Sequence, residues 1–152
     1  MSRWEPGAAD IEQALKQRTL QAITGAAADG ESLLIKAERT ITTARDIAES
    51  DPDSAFVLAY DAVRQAGTAL LAQQGLRPTT TGGHYVVERV LRAQFGAGMK
   101  MFGAMRRRRN ELEYPDVPGD HVSEEELAEA LSDAQRIIDA THKLLPTLGF
   151  FH

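Results

Sequence analysis

The chain of 152 residues contains no cysteine and few aromatic side chains, which make up 6% of it. The lack of cysteine excludes disulfide bonds and thiolate metal ligands, and it favours the cytoplasm over an oxidising compartment. No apolar stretch approaches the length that spans a membrane, and the N-terminus lacks the apolar core of a secretory signal. We therefore expect a cytoplasmic protein of one ordinary domain.

Positive charge is also scarce, because the formal net charge is −5. This balance argues against a protein whose whole surface is basic and binds long nucleic acids. It is compatible with one local basic patch. The dense one is the run of four arginines at residues 106–109, inside the segment RRRRNELEYP.

Helix signals dominate the chain. Alanine is abundant, and β-branched runs with alternating polarity are missing. The spacing of the apolar residues predicts three helices, then a fourth that starts at Gly83, a fifth that runs into the arginines, and a last one after Ser123. The first three are predicted over residues 8–28, 31–49 and 51–74.

Local stop and start signals punctuate the second half of the chain. Gly96 and Gly98 predict a break between the fourth and fifth helices. Pro115 predicts the end of the fifth helix, because a residue before proline avoids helical geometry. Ser123 and Glu126 have the spacing of a capping box, which predicts the start of the last helix.

Short connections between helices are typical of an antiparallel up-and-down bundle. The predicted fold class is all-α, with about five to six helices in a single domain. We interpret residues 1–30 as an N-terminal helical extension and residues 31–152 as the bundle. The apolar tail with Phe150 and Phe151 is expected to cover either its own bundle or a second copy of the chain.

The residues that indicate chemistry are concentrated at the end of the fifth helix. On a helix, Arg106, Asn110 and Tyr114 lie on one face, and Glu113 is close enough to pair with Arg109. Arginine suits phosphate because its planar guanidinium donates two hydrogen bonds at once. This helix end therefore indicates a polyanion site. The alternative is a solvated helix end whose cations oppose the helix dipole.

The segment RNELEY resembles the signature of the HEPN superfamily, small all-helical bundles of toxins, antiphage systems and RNA-processing proteins. That signature is an arginine, a polar neighbour, and a histidine about four to six residues after the arginine, near the end of a helix. Arg109 matches the arginine, Asn110 matches the polar neighbour, and Tyr114 stands where the histidine is expected. The helical layout over about residues 31–145 is similar as well.

The resemblance implies a homodimer in which two motifs face each other across a cleft. It implies an RNA-directed protein of toxin or defence type that cleaves RNA without a metal ion or another cofactor. The 2′-hydroxyl would attack the adjacent phosphate and leave a 2′,3′-cyclic phosphate and a 5′-hydroxyl end. The alternative is a non-catalytic module that binds RNA, a nucleotide or a protein partner. An antitoxin, or a nucleotidyltransferase that modifies a tyrosine near the motif, is a further implied partner.

The same resemblance assigns roles to the residues. Arg109 is expected to contact the scissile phosphate, Asn110 to orient it, and Tyr114 to be the acid or a positioning group. A free tyrosine has a pKa of about 10 and is a poor base near neutrality, so its presence in place of histidine predicts a weakened enzyme. The residues expected to hold flanking phosphates are Arg106, Arg107 and Arg108.

The histidines elsewhere in the chain give weaker signals. His84 follows the sequence TTTGG and is interpreted as a residue at a helix start rather than as a catalytic substitute. His121, His142 and His152 have no ligand spacing with one another, so no metal site is predicted.

Overall fold

The computed structural model describes residues 3–81 and 83–152, apart from the side chain of His84. The all-α bundle predicted from the sequence is confirmed, with a two-stranded antiparallel sheet added to it. None of the helices in these ranges combines the length and the apolar character needed to span a bilayer. The elements are α1 Ala8–Lys16, β1 Leu20–Ala22, α2 Gly30–Ile47, α3 Pro52–Gln73, β2 Leu76–Pro78, α4 Gly83–Phe95, α5 Met101–Glu113 and α6 Glu124–Leu144.

Helix α3 is the centre of the bundle. The Asp51 side chain accepts a hydrogen bond from the backbone N–H of Ser54 and caps the helix, and Pro52 occupies its first turn. The helix ends before Gly75, whose φ of 74° is typical of a helix C-terminus. Its apolar residues point in several directions, and it packs against α2, α4, α5 and α6. The other helices are therefore positioned relative to one shared core.

Helix α4 runs in the same general direction as α3. Near the middle of α3, Gly67 faces Val87 and Leu91, and at its end Gln74 forms hydrogen bonds with Gln94. The segment that contains β2 carries the chain back along α3 before α4 begins. Helix α5 then runs opposite to both of them, which brings the first turns of α4 beside the middle of α5.

The predicted first helix over residues 8–28 is wrong. Helix α1 ends at Lys16, and Arg18 adopts a left-handed conformation with a φ of 62°. The chain then forms β1, which pairs with β2 so that Leu20 lies opposite Pro78. The sequence has no local strand signal here. The strand forms by pairing with a segment more than fifty residues away along the chain, and local propensity does not report such a contact.

The predicted boundaries in the second half are confirmed. Helix α4 ends at Phe95, and a short 3₁₀ turn over Gly96–Met99 precedes α5. Ser123 and Glu126 form the capping box of α6. The C-terminal tail covers its own bundle: the Phe151 ring is buried, and its backbone N–H donates to the carbonyl of Gln74 at 2.9 Å.

Candidate functional site

The four arginines of α5 have different surroundings, although they are consecutive. Arg106 donates from Nε to Oε2 of Glu88 on α4 at 2.8 Å. Glu88 is only 5% exposed, so this carboxylate is a buried charge that needs a cation beside it. The guanidinium of Arg106 also lies over the ring of Tyr85, 5.8 Å from the ring centroid.

Arg108 is held by acidic side chains on three sides. Its guanidinium forms ion pairs with Asp120 at 2.8 Å, with Glu126 at 2.7 Å and with Glu111 at 3.0 Å. The hydrogen bond to Asp120 is the main cause that raises the pKa of Arg108, and the same bond lowers the pKa of Asp120. Arg108 therefore fastens the loop after α5 to the first turn of α6, with few donors left for a ligand.

Arg107 and Arg109 have no carboxylate within ion-pair distance in the described part of the chain. Arg107 is exposed. Arg109 donates from Nη1 to the side-chain oxygen of Asn110 at 3.3 Å, and its Nε has no partner. The predicted pair between Arg109 and Glu113 is not formed, and Glu113 lines the groove between the start of α3 and the end of α5.

Tyr114 lies just beyond the last helical residue of α5. Its backbone N–H still donates to the carbonyl of Asn110 at 2.8 Å, but its φ of −131° and ψ of 68° are not helical. The following Pro115 disfavours the helical conformation at this position. The side chain is 78% exposed. The expected alignment of Arg106, Asn110 and Tyr114 on one helix face is therefore incomplete, because the helix ends at Glu113, one residue before Tyr114.

Two residues outside α5, Tyr60 of α3 and Glu88 of α4, also belong to this region, and sequence reasoning did not identify them. Tyr60 of α3 is buried and packs edge-on against Phe102 of α5, with ring centroids 5.9 Å apart. Burial raises the pKa of Tyr60 to about 12, while the charges of Arg64, Arg106 and Arg109 act in the opposite direction. Positive charge from α3 and from α5 thus converges on the same region.

Glu88 could have been recognised from the sequence. It is an acid inside the apolar run VVERVL of α4, between Val87 and Val90, which are both buried. An acid on the buried side of a helix needs a cation nearby. The sequence does not say which cation, because Arg106 lies on a different helix.

His121 has an acidic partner from another element. His121 Nδ1 lies 2.7 Å from Asp53, and the hydrogen bond with Asp53 raises the pKa of His121. Partial burial alone would raise the pKa of Asp53, but hydrogen bonds from His121 and from the backbone N–H of Val122 hold it below its ordinary value. No group of three acidic or histidine side chains in the described ranges could hold a metal ion. The side chain of His84 lies outside the described residues.

Comparison with known proteins identifies a family for the helical bundle. The family model for the HEPN domain matches residues 31–144, which comprise most of α2 and all of α3 to α6. Neither a curated protein nor a solved structure matches the chain. The match covers well over half of the sequence and includes the arginine run. The chain therefore belongs to the HEPN superfamily.

Proposed function

We propose that this HEPN protein is directed at RNA, acts as a homodimer and cleaves RNA without a metal ion. One observation carries the proposal: Arg109 forms no ion pair with an acid in the part of the chain that the structure describes. Its side chain donates instead to the neutral amide of Asn110. An arginine in this state can donate to both oxygens of a phosphate.

The other arginines differ in what they can offer. Arg107 is exposed and has no acidic partner in the described ranges, so it is the second candidate for a phosphate contact. Arg106 has Glu88 as its partner, and Arg108 is surrounded by carboxylates. The proposal therefore assigns phosphate binding to Arg107 and Arg109, and assigns supporting roles to Arg106 and Arg108.

Asn110 and Tyr114 complete the proposed site. The side-chain oxygen of Asn110 accepts from Arg109, which leaves the amide N–H groups of Asn110 to donate to a phosphate oxygen. The 2′-hydroxyl oxygen attacks phosphorus and its proton passes to water. The bond from phosphorus to the 5′-oxygen breaks, and that oxygen takes a proton from Tyr114, which regains one from water. Arg109 stabilises the negative charge that develops on the phosphoryl oxygens.

The nuclease proposal is tested by incubating the purified protein with mixed RNA in EDTA. We expect the wild type to produce 2′,3′-cyclic phosphate ends and Arg109→Ala to reduce the cleavage rate by about a hundredfold or more. Arg39→Ala is the matched control, because Arg39 is an exposed arginine on α2 without an ion pair in the described structure. Equal cleavage by wild type and Arg109→Ala, or no cleavage by either protein, would contradict the nuclease proposal.

The homodimer is tested separately by light scattering. We expect a mass near twice that of the 16.6 kDa chain. If Arg109 and Tyr114 of both copies serve one cleft, a dimer that contains one wild-type chain and one Arg109→Ala chain should lose more than half of the activity. A monomeric mass would refute this part of the proposal and leave the RNA contact to be judged alone.

The second candidate function is a non-catalytic module, and the exposure of Tyr114 favours it. A phenol that is 78% exposed is not enclosed by groups of its own chain that would direct its proton. RNA binding that weakens steeply with salt, without any cleavage, would support this alternative.

The exposed phenol is also accessible to a nucleotidyltransferase, and an intact-mass shift after exposure to such a partner and ATP would identify it as an acceptor.

A further inference from the structure

Tyr85 is a large apolar side chain that the core does not use. It lies in the first turn of α4, where the neighbouring Val86, Val87 and Val90 are all buried. The Tyr85 ring is instead 62% exposed. This exposed ring lies next to Arg106 on the charged face of α5.

The ring is held in a defined place by a cation. The guanidinium of Arg106 lies over it, 5.8 Å from the centroid, which is within the range of a cation–π contact. Arg106 is fixed in turn by Glu88, one turn after Tyr85 on the same helix, at 2.8 Å. Glu88 itself is buried, so its carboxylate is enclosed by the protein. The ring therefore has a positioned cation beside it and a large area open to solvent.

The surroundings of the ring define the chemistry that fits it. Arg109 lies one turn after Arg106 on α5 and has no acidic partner in the described ranges, and the exposed Arg107 directly follows Arg106 in the chain. Tyr85 supplies a flat aromatic face beside α5, and Arg107 and Arg109 of α5 form no ion pair in the described ranges. An aromatic face and free guanidiniums match the two parts of a nucleotide, a base and a phosphate. Bases stack on aromatic side chains only when they are unpaired, since a duplex hides their faces.

We propose that Tyr85 is a stacking platform for an unpaired base, so that the ligand of this site is single-stranded rather than double-stranded RNA. This inference rests on the proposed function, and it adds the substrate class and a residue that lies outside the motif. Arg109 and Arg107 hold the backbone, and Tyr85 holds a neighbouring base. Arg106 and Glu88 keep the ring in position.

The test measures binding by fluorescence anisotropy with a short, labelled, 2′-O-methylated RNA, which cannot be cleaved through its 2′-oxygen. We expect Tyr85→Ala to weaken binding of the single strand about tenfold, because stacking on one aromatic ring has about this effect. Tyr85→Phe keeps the ring and should bind like the wild type. Phe150→Ala is the control, since it removes another partly exposed aromatic ring, next to Gly75 beyond the end of α3.

Two further ligands separate stacking from charge. A duplex of equal length, and an abasic ribose-phosphate oligomer, offer phosphates without free base faces. Tyr85→Ala should bind both like the wild type, whereas Arg109→Ala should bind all three ligands more weakly. Equal single-strand affinity for wild type and Tyr85→Ala, or tighter wild-type binding to the duplex, overturns the platform while the RNA-directed function stands. Failure of the wild type to bind any of the three ligands overturns both.

Discussion

At the scale of single side chains, the four consecutive arginines at residues 106–109 have different roles. Neighbours on a helix point about 100° apart, so each arginine meets a different element. Arg108 meets the loop before α6 and Arg106 meets α4, while Arg107 and Arg109 form no ion pair within the described chain. The free charge of this helix end is therefore smaller than the run suggests.

The substitutions Arg108→Ala and Arg107→Ala distinguish an arginine that stabilises the fold from one that binds a ligand. Arg108→Ala should lower the free energy of unfolding by about 1 kcal/mol, because three partly exposed ion pairs lose their shared cation. Arg107→Ala should change it by less than about 0.5 kcal/mol, as is usual for exposed residues. Urea denaturation followed by circular dichroism measures both values.

The same two variants should rank in the opposite order for RNA. Arg107→Ala should weaken binding and reduce its salt dependence, since one phosphate contact is lost. Arg108→Ala should bind like the wild type as long as it is folded. If Arg108→Ala loses RNA affinity while its folded state is intact, the supporting role assigned to Arg108 is incorrect.

The contact between His121 and Asp53 predicts a dependence of stability on pH. The raised pKa of His121 means that its protonated form stabilises the fold. This contribution is complete below the unfolded value of about 6.5 and is lost as the pH rises through the higher folded value. The lowered pKa of Asp53 acts at the acid end, where its contribution is lost as the pH falls through the depressed value.

We therefore expect the unfolding free energy of the wild type to decrease between about pH 6 and about pH 8, with a smaller decrease for His121→Gln. Denaturation curves at several pH values give the comparison. His142→Gln is the control, because His142 is equally exposed and lies 3.9 Å from its nearest acid. The same slope for His121→Gln and wild type would show that the contact with Asp53 does not contribute in solution.

At the scale of single residues, the sequence identified the candidate site residues but not the side chains with which they interact. The arginine run, Asn110 and Tyr114 were all identified as the candidate site. The predicted pair of Arg109 with Glu113 is not formed, and two of the three acidic partners of Arg108 are twelve and eighteen residues away. Long side chains choose their partners from whatever the fold brings near, which local spacing does not encode.

At the scale of elements, the contact between α4 and α5 depends on a glycine. A Cβ atom at Gly103 would lie 2.4 Å from Oε1 of Glu88, so an alanine there would require this carboxylate, which pairs with Arg106, to move. The close approach supports the ring of Tyr85 as well, through Arg106. Gly103 thus leaves room for the carboxylate of Glu88 beside α5.

Gly103→Ala should lower the free energy of unfolding by about 1 kcal/mol. The displaced, buried carboxylate costs more than alanine contributes through its better helix propensity, which is about 1 kcal/mol. Single-strand RNA affinity should fall as well, because Arg106 loses its partner. Gly98→Ala is the control: its Cβ meets nothing within 4 Å, and it should be neutral or stabilising.

Most elements were predicted from local signals, because caps and breakers act within a few residues. Asp51 with Pro52, the capping box of Ser123, and the break at Gly96 all lie where the sequence indicated. The exception is the segment after Lys16, which forms a strand through its pairing with β2. That strand is an effect of tertiary contact on a locally neutral sequence.

At the scale of the whole molecule, both ends of the chain pack against the bundle. Trp4 stacks on Phe95 with ring centroids 5.1 Å apart, and its Nε1 donates to the carbonyl of Gln94. The guanidinium of Arg3 lies 4.5 Å from the centroid of the Phe151 ring. These contacts predict that residues 3–30 contribute to the stability of the fold.

Two variants test that contribution. Ile11 is fully buried between α1 and the rest of the molecule, so Ile11→Ala should lower the free energy of unfolding by about 3 kcal/mol. Gln13→Ala, at an exposed position two residues away, should have almost no effect. If deletion of residues 1–30 leaves the thermal midpoint of the remaining chain unchanged, the N-terminal segment is an independent extension after all.

The sequence by itself determined the helical class, most helix boundaries, the position of the charged helix end and the likeness to the HEPN superfamily. Each of these depends on periodicity, capping or a short motif, which are local properties. Only the tertiary structure decided that α4 runs parallel to α3, that β1 is a strand, and that Glu88 and Tyr85 meet Arg106. These contacts join residues far apart in the chain, and their geometry follows from how the helices pack around α3.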